Sequence, residues 1–254
     1  MAALRVTFWG TGTSVGIPMI GCACATCRSE DPRDHRTRAS ILIEFGSHKV
    51  VVDTSTDFRL QALRSGIDRL DAILYTHAHA DHIFGLDDLR PLNLRQGPIP
   101  CYCTPQTFER LQQIFAYAFE PSDRYRGLPW VVPNLIEGEF QVAGQTFLPL
   151  RTLHGNGITT AYRFNGVAYL TDCHQIPEET LDQLLALDVL ILDALRLKPH
   201  PTHLSLDEAL AYVQRLRPTR AFLTHISHEM MYEEVSRSLP PNVALAYDGL
   251  QIEL

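Results

Sequence analysis

The sequence predicts an α/β protein in which β-sheets form the centre and helices lie outside them. Short apolar and β-branched runs recur along the chain, as in L-R-V-T-F-W-G and V-L-I-L-D. Segments with the helical spacing of apolar residues alternate with these runs. The chain also divides into two halves, each strand-rich first and helix-bearing later, with no low-complexity linker between them. We therefore expect residues 1–254 to form a single domain.

The individual elements are predicted from periodicity and from the residues at their ends. Strands are expected at residues 4–10, 41–45, 49–53, 71–76, 140–142, 159–164, 167–172, 188–193, 220–225 and 243–248. Helices are expected at residues 58–65, 107–119 and 205–216. Ser205 and Glu208 form a capping-box pattern at the start of the last helix. The proline-containing stretch 120–133 predicts a long mobile loop.

Composition and charge exclude several classes of protein. With 45% hydrophobic residues among 254, the chain can bury a large core. The net charge of −7 disfavours a broad basic face for nucleic-acid backbone. The start M-A-A-L-R-V-T-F-W has no signal-peptide pattern, and no apolar run reaches membrane-spanning length. We expect a cytoplasmic location, no membrane partner and cysteines present as thiols or metal ligands.

The cysteine cluster C-A-C-A-T-C places Cys22, Cys24 and Cys27 within six residues. A tetrahedral zinc site usually takes four ligands, so a distant residue must complete the set. His228 is the candidate, because a turn after the strand that precedes it could bring it to the cysteines. Cys101 or Cys103 as the fourth ligand, and a redox cluster without metal, are the alternatives that remain open.

The strongest chemical signal is T-H-A-H-A-D-H at residues 76–82, directly after an apolar run. The histidines at alternating positions point the same way from extended chain. Three further candidate ligands, His154, Asp172 and His225, each follow an apolar run and would emerge at a strand end. Imidazoles and carboxylates in this combination suit zinc, manganese or iron. The pattern predicts a metal centre at one edge of the sheets.

The heptapeptide and the downstream His, Asp and His resemble the pattern of the metallo-β-lactamase superfamily. This resemblance implies a four-layer αββα sandwich, with two mixed β-sheets flanked by helices and two divalent metals, Zn or Mn, at one edge. It implies that one metal is held by His77, His79 and His154. It implies that the other is held by Asp81, His82 and His225, with Asp172 bridging the two.

Such a pair of metals lowers the pKa of a water between them and polarises a phosphoryl or carbonyl oxygen. The metal ligands alone do not choose between phosphate and acyl substrates. Asp53 and Asp193, each at the end of an apolar run, are expected to orient metal-binding imidazoles by accepting their N–H groups.

Two further strings indicate a branch of this superfamily. G-T-G-T-S-V-G-I-P before the cysteine cluster resembles the cyclic phosphate phosphodiesterases of bacterial phosphonate breakdown, which implies a structural zinc held by Cys22, Cys24, Cys27 and His228. P-H-P-T-H-L-S-L-D-E-A at residues 199–209 resembles an element that phosphodiesterases of the superfamily place near their metals.

Within the second string, His203 is the expected donor of a proton to the departing alkoxide. His200 is its rival, three residues away. Asp81 is the other predicted catalytic residue.

The resemblance implies hydrolysis of a cyclic phosphate ester, above all 5-phosphoribosyl 1,2-cyclic phosphate to ribose 1,5-bisphosphate. The expected partner is this small molecule, and a homodimer is a further expectation. Three alternatives remain: a ribonuclease Z-like nuclease, a thioester or lactone hydrolase, and a non-catalytic or redox module. The nuclease would need a basic surface and an extended arm, and neither is evident in the sequence.

Overall fold

Two seven-stranded β-sheets lie against each other in the computed structural model, which describes residues 4–119 and 127–254. The strands are β1 (Leu4–Gly10), β2 (Ser40–Phe45), β3 (His48–Val52), β4 (Ala72–Leu74), β5 (Ile99–Cys103), β6 (Val131–Leu135), β7 (Phe140–Val142), β8 (Gln145–His154), β9 (Gly157–Phe164), β10 (Val167–Leu170), β11 (Val189–Asp193), β12 (Arg220–Thr224), β13 (Val243–Leu245) and β14 (Gln251–Glu253). The α-helices are α1 (Phe58–Ser65), α2 (Ala80–Ile83), α3 (Arg90–Gln96), α4 (Pro105–Ile114), α5 (Ala116–Phe119), α6 (Glu178–Leu181), α7 (Leu206–Leu216) and α8 (Tyr232–Ser236).

Both sheets are mixed. The first has the order β14-β1-β2-β3-β4-β5-β6, antiparallel from β14 to β3 and parallel from β3 to β6. The second has the order β13-β12-β11-β10-β9-β8-β7, parallel from β13 to β10 and antiparallel from there to β7. Parallel strands need crossover connections, and the helices supply them.

Three hydrophobic clusters define the layers. One joins the facing surfaces of the two sheets, for example Ile43 with Phe164. A second packs the outer face of the first sheet against helices, and a third does the same for the second sheet around Val213 of α7. Because strands of this kind are buried on both faces, they read as continuous apolar runs. The arrangement confirms the predicted αββα sandwich.

Several boundaries differ from the sequence prediction. The helix predicted over 107–119 is two helices, α4 and α5, separated at Phe115. The predicted loop 120–133 was wrong at its end, because Val131–Leu135 forms β6 at an edge of the first sheet. Pro133 is tolerated there because an edge strand has one side without a partner. Residues 120–126 lie outside the described part of the chain.

The chain leaves its strands for the metal-ligand residues at one edge of the sandwich. Asp53 directly follows β3, and Asp172 and His225 follow β10 and β12. All three have left-handed backbone conformations, with φ of 65°, 53° and 59°. Such conformations cost of order 1–3 kcal/mol for residues other than glycine and cluster at functional sites. Among the described residues, no helix has the length and apolar character needed to cross a membrane.

Gly85 follows α2 and lies against the loop after β3. A methyl group added there would collide with the carbonyl oxygen of Ser55 and with Cβ of Phe58. We expect Gly85→Ala to lower the free energy of unfolding by about 1–3 kcal/mol, because backbone cannot yield as a flexible side chain would. Urea unfolding measures this, with Gly138→Ala as the control, since an added Cβ at Gly138 meets nothing within 4 Å. Equal stability of the two variants would contradict the expected clash.

Candidate metal centre

The heptapeptide changes conformation in its middle. His77 follows β4, and His79 is the N-cap residue of α2 with the extended φ of −73° and ψ of 152°. Asp81 and His82 lie within that short helix. The first two histidines therefore precede the helix, whereas the last two ligands project from it.

The first ligand set contains His77, His79, His154 and Asp172. Their ligand atoms all lie within 4.8 Å of one another. His77 Nε2 lies 2.9 Å from His79 Nδ1 and 3.8 Å from a carboxylate oxygen of Asp172. Such a set could hold one divalent cation with imidazole nitrogen and carboxylate oxygen.

The second ligand set contains Asp81, His82, Asp172 and His225, again with ligand atoms within 4.8 Å of one another. His82 Nε2 lies 3.3 Å from Asp81 Oδ2 and 3.2 Å from Asp172 Oδ1. His225 Nε2 lies 3.4 Å from Asp172 Oδ2. Asp172 thus belongs to both sets, and all seven residues predicted from the sequence meet at this edge.

The polar atoms of this centre fit a pair of cations. His82 Nε2 and both ring nitrogens of His225 are buried and make no hydrogen bond within the described part of the chain. Carboxylate oxygens lie 3.2–3.6 Å from these nitrogens without forming a well-directed hydrogen bond. A divalent cation between them would satisfy the buried nitrogens. Neutral imidazoles with two carboxylates form a donor set suited to zinc, manganese or iron.

The buried carboxylates of this centre are stabilised by nearby positive charge. Burial alone would raise the pKa of Asp172, but His225 and His82 hold it well below its usual range. Burial would lower the pKa of His225, yet the charges of Asp172 and nearby carboxylates raise it to about 9. The buried carboxylates require cationic partners, which protons on imidazoles or bound metal ions could supply.

Asp53 orients ligands of both sets from a fully buried position. Its Oδ2 accepts a hydrogen bond from His82 Nδ1 at 2.7 Å and another from the Thr76 hydroxyl at 2.8 Å. The oxygen of that hydroxyl lies 3.0 Å from His77 Nδ1 and can accept its proton. The Asp53 carboxylate therefore orients the rings of His82 and, through Thr76, His77, which is the role predicted for Asp53 from the sequence.

Asp193 plays the corresponding part for His203. Its Oδ2 accepts from His203 Nδ1 at 3.0 Å and from the Cys173 N–H at 3.0 Å. The second carboxylate oxygen lies 3.6 Å from His225 Nδ1. The His203 ring is stacked on the His225 ring, with centroids 4.7 Å apart, so His203 borders the second ligand set.

Sequence reasoning assigned no role to Thr202. Its carbonyl oxygen accepts from His154 Nδ1 at 2.7 Å, which leaves Nε2 of that ring for the first ligand set. A backbone acceptor carries no side-chain signature, so only the folded structure could identify it. Sequence reasoning also gave no role to the turn residue Asp248, whose buried side chain accepts hydrogen bonds from Thr11 and Thr37.

The cysteine cluster forms a third set of possible metal ligands, which shares no residue with the two His and Asp sets. Cys22 Sγ and Cys24 Sγ are 3.4 and 3.3 Å from Nδ1 of His228, and Cys27 Sγ completes a set within 4.8 Å. The Cys27 N–H and His228 lower the pKa of the Cys24 thiol to about 6, which favours the thiolate that binds zinc.

The other two cysteines considered as fourth ligands are not part of this set. Cys101 and Cys103 are buried on β5 within the helix-facing core of the first sheet.

Removal of the Asp53 carboxylate tests whether it orients the metal-ligand histidines. We expect Asp53→Ala to weaken divalent-metal binding by about 10- to 100-fold, because His82 and Thr76 lose their buried acceptor. Competition with a chromophoric chelator measures the affinity. Asp71→Ala is the control, since Asp71 accepts hydrogen bonds from Lys49 and His48 and touches no ligand. Equal affinities in the two variants would show that Asp53 does not orient the ligands.

Comparisons with known proteins agree with this geometry. Residues 48–226 match the family described as a beta-lactamase superfamily domain. The crystal structure of a diphosphatase from the PhnP family has a TM-score of 0.93 and 42% identity, and the match covers 99% of this chain and 97% of that one.

Two sequence relatives carry different names. A Porphyromonas gingivalis protein named octanoyltransferase is 37% identical over 253 residues, which are 98% of this chain and 51% of that protein. Ribonuclease Z of Bradyrhizobium diazoefficiens is 35% identical over 95 residues, 36% of this chain and 26% of that protein. The chain thus spans about half of the first relative and about a quarter of the second.

The chain belongs to the metallo-β-lactamase superfamily, and within it resembles the PhnP family.

Proposed function

We propose that this protein is a phosphodiesterase that opens a cyclic phosphate ester. The observation that carries the proposal is the place of His203, which borders the second ligand set while Asp193 holds its Nδ1. Hydrolysis of a phosphodiester requires a proton for the departing alkoxide, and a histidine fixed beside the metal centre can donate it. An acyl hydrolase on the same metals has less need of this residue.

We propose that the residues of the two clusters are metal ligands. One divalent metal would be held by His77, His79 and His154, and the other by Asp81, His82 and His225, with Asp172 available to both. When bound, such a pair supplies an activated water and stabilises charge on a phosphoryl oxygen. Zinc and manganese are the proposed ions. Asp81 is proposed as catalytic through its place beside His82 and His225.

The part played by His203 follows from its hydrogen bond. Because the carboxylate of Asp193 accepts from Nδ1, the remaining nitrogen, Nε2, is the one free to act on substrate. His203 therefore holds a proton at Nε2 and delivers it to the leaving oxygen.

The proposed substrate is 5-phosphoribosyl 1,2-cyclic phosphate, and the product is ribose 1,5-bisphosphate. The 42% identity over nearly the whole chain to a diphosphatase of the PhnP family supports a phosphorylated substrate. The cyclic ester is favoured by the cysteine cluster, which the sequence resemblance associates with cyclic phosphate phosphodiesterases. Membership of a phosphonate-degrading system, a cytoplasmic location and a homodimer stay predictions from the sequence.

The names of two relatives suggest other substrates, which a single set of assays can test. The partial match to ribonuclease Z raises an RNA substrate, which the net charge of −7 disfavours. The name octanoyltransferase raises an acyl substrate, although it belongs to a protein of which this chain covers 51%. Metal-reconstituted protein is to be offered the ribose cyclic phosphate, bis-p-nitrophenyl phosphate, precursor tRNA and a thioester. We expect turnover of the first two, and activity on the thioester alone would refute the proposal.

Substrates whose leaving groups differ in their need for a proton test the proposed role of His203. We expect His203→Ala to lower kcat on the ribose cyclic phosphate by about 10²- to 10⁴-fold, because the sugar alkoxide leaves poorly without a proton. Turnover of bis-p-nitrophenyl phosphate is expected to change far less, since p-nitrophenolate leaves as a stable anion. Steady-state kinetics at equal metal content measure both, with the exposed His35→Ala as control. Equal losses on the two substrates would remove His203 from this role.

The proposed structural zinc is separable from the catalytic metals. We expect about three metal ions per chain in the wild-type protein, of which the one on the cysteines resists chelation. Cys24→Ser should lose that ion and keep the other two, whereas His79→Asn should do the reverse. Elemental analysis after dialysis against metal-free buffer counts the ions, and a second dialysis against a chelator identifies the resistant one. Loss of all metal in both variants would show that the two centres are not independent.

A further inference from the structure

His200 is a half-buried imidazole that belongs to neither ligand set and to no proposed step. Its ring centroid lies 5.3 Å from that of His203, with the planes at 48°. The two histidines therefore stand side by side at the mouth of the metal centre.

The hydrogen bonds of His200 fix its tautomer. The backbone N–H of Thr202 points at His200 Nδ1 across 3.3 Å, and the Thr202 hydroxyl lies 3.2 Å from the same nitrogen. An amide N–H can only donate, so Nδ1 is an acceptor and the proton of the neutral ring is on Nε2. Burial, with a further contribution from His203, lowers the pKa of His200. The ring is thus a neutral donor through Nε2, which has no partner among the described residues.

The position of this donor is tied to the metal centre by one short segment. Thr202 gives its N–H to His200 and accepts from the ligand His154 through its carbonyl oxygen. The next residue, His203, is held by Asp193. An added Cβ at Gly155, which follows His154, would lie 3.0 Å from Cγ2 of Thr202, so the segment is packed closely against the ligand strand.

The preceding residues of the loop are also fixed. The guanidinium of Arg196 donates to the carbonyl oxygens of Lys198 and Pro199, at 3.1 and 2.8 Å. A donor on a segment held at both ends loses little freedom when it binds, which makes it effective in recognition.

We propose that His200 is a specificity-determining residue whose Nε2–H donates to an oxygen on the leaving-group side of the substrate. This inference rests on the proposed function. His203 acts on the oxygen that departs, and the adjacent ring of His200 meets a neighbouring oxygen of the same alcohol. The substrate class this selects is a phosphodiester whose leaving alcohol carries a further hydroxyl or phosphoryl oxygen, as a sugar does, rather than a simple alkyl or aryl ester.

Paired variants and paired substrates test the inference. His200→Leu removes the donor, whereas His200→Gln keeps an N–H group at about the reach of Nε2. On the ribose cyclic phosphate we expect His200→Leu to lower kcat/KM by about 10- to 100-fold, mainly through KM, and His200→Gln to restore most of it. On bis-p-nitrophenyl phosphate, which has no sugar oxygen to accept the bond, both variants should stay within about twofold of wild type.

A second readout does not depend on turnover. Nitrogen-15 NMR of the imidazoles in the metal-free protein should show the proton of His200 on Nε2, and a proton on Nδ1 would overturn the proposal. Equal losses on both substrates, or no loss on either, would also overturn it. Wild-type protein that hydrolyses neither phosphodiester would refute the proposed function and this inference with it, an outcome distinct from the variant-specific ones.

Discussion

The buried carboxylate of Asp172 is the group on which the rest of the site depends. It is 2% exposed, and its two oxygens lie 3.2 Å from His82 Nε2 and 3.4 Å from His225 Nε2. A carboxylate taken out of water costs several kcal/mol unless cations or strong hydrogen bonds surround it. Asp172 belongs to both ligand sets, and its negative charge attracts the histidines of each. The left-handed backbone at this residue, with φ of 53°, is the local strain that places it.

The site also depends on both sheets at once. Asp53 follows β3 of the first sheet and orients His82, whereas Asp193 ends β11 of the second and orients His203. The ligand sets need both halves, because His77, His79, Asp81 and His82 follow β4 of the first sheet, whereas His154, Asp172 and His225 lie at strand ends of the second. The cysteine cluster adds a further link, since His228 lies three residues beyond His225 and is close to cysteines from the N-terminal loop. Folding of the sandwich and assembly of the centre are therefore coupled.

Most of the metal-ligand residues could be predicted from the sequence, because they occur in short, recognisable patterns. Four metal-binding side chains in T-H-A-H-A-D-H have no comparable structural explanation, and the apolar runs before Asp172 and His225 place these residues at strand ends. Asp53 and Asp193 followed from the same reasoning. The fold class followed from alternating runs, whose burial on both faces makes them continuous.

Other features carried no such signature. β8 was predicted only through its end at His154, because Q-T-F-L-P-L-R-T-L-H mixes polar residues with a proline and does not show the extent of the strand. The division of one predicted helix into α4 and α5 depends on the backbone of Phe115, and a helical spacing of apolar residues does not report it. His200 and His203 look alike three residues apart in sequence. Their different parts appear only from what holds each Nδ1, the amide of Thr202 in one case and the carboxylate of Asp193 in the other.

An anomalous-difference map from crystals of metal-reconstituted protein tests whether two metal ions share Asp172. We expect two peaks on either side of the Asp172 carboxylate and a third, separate peak among Cys22, Cys24, Cys27 and His228. A single peak in the His and Asp cluster, or two peaks neither of which touches Asp172, would contradict it.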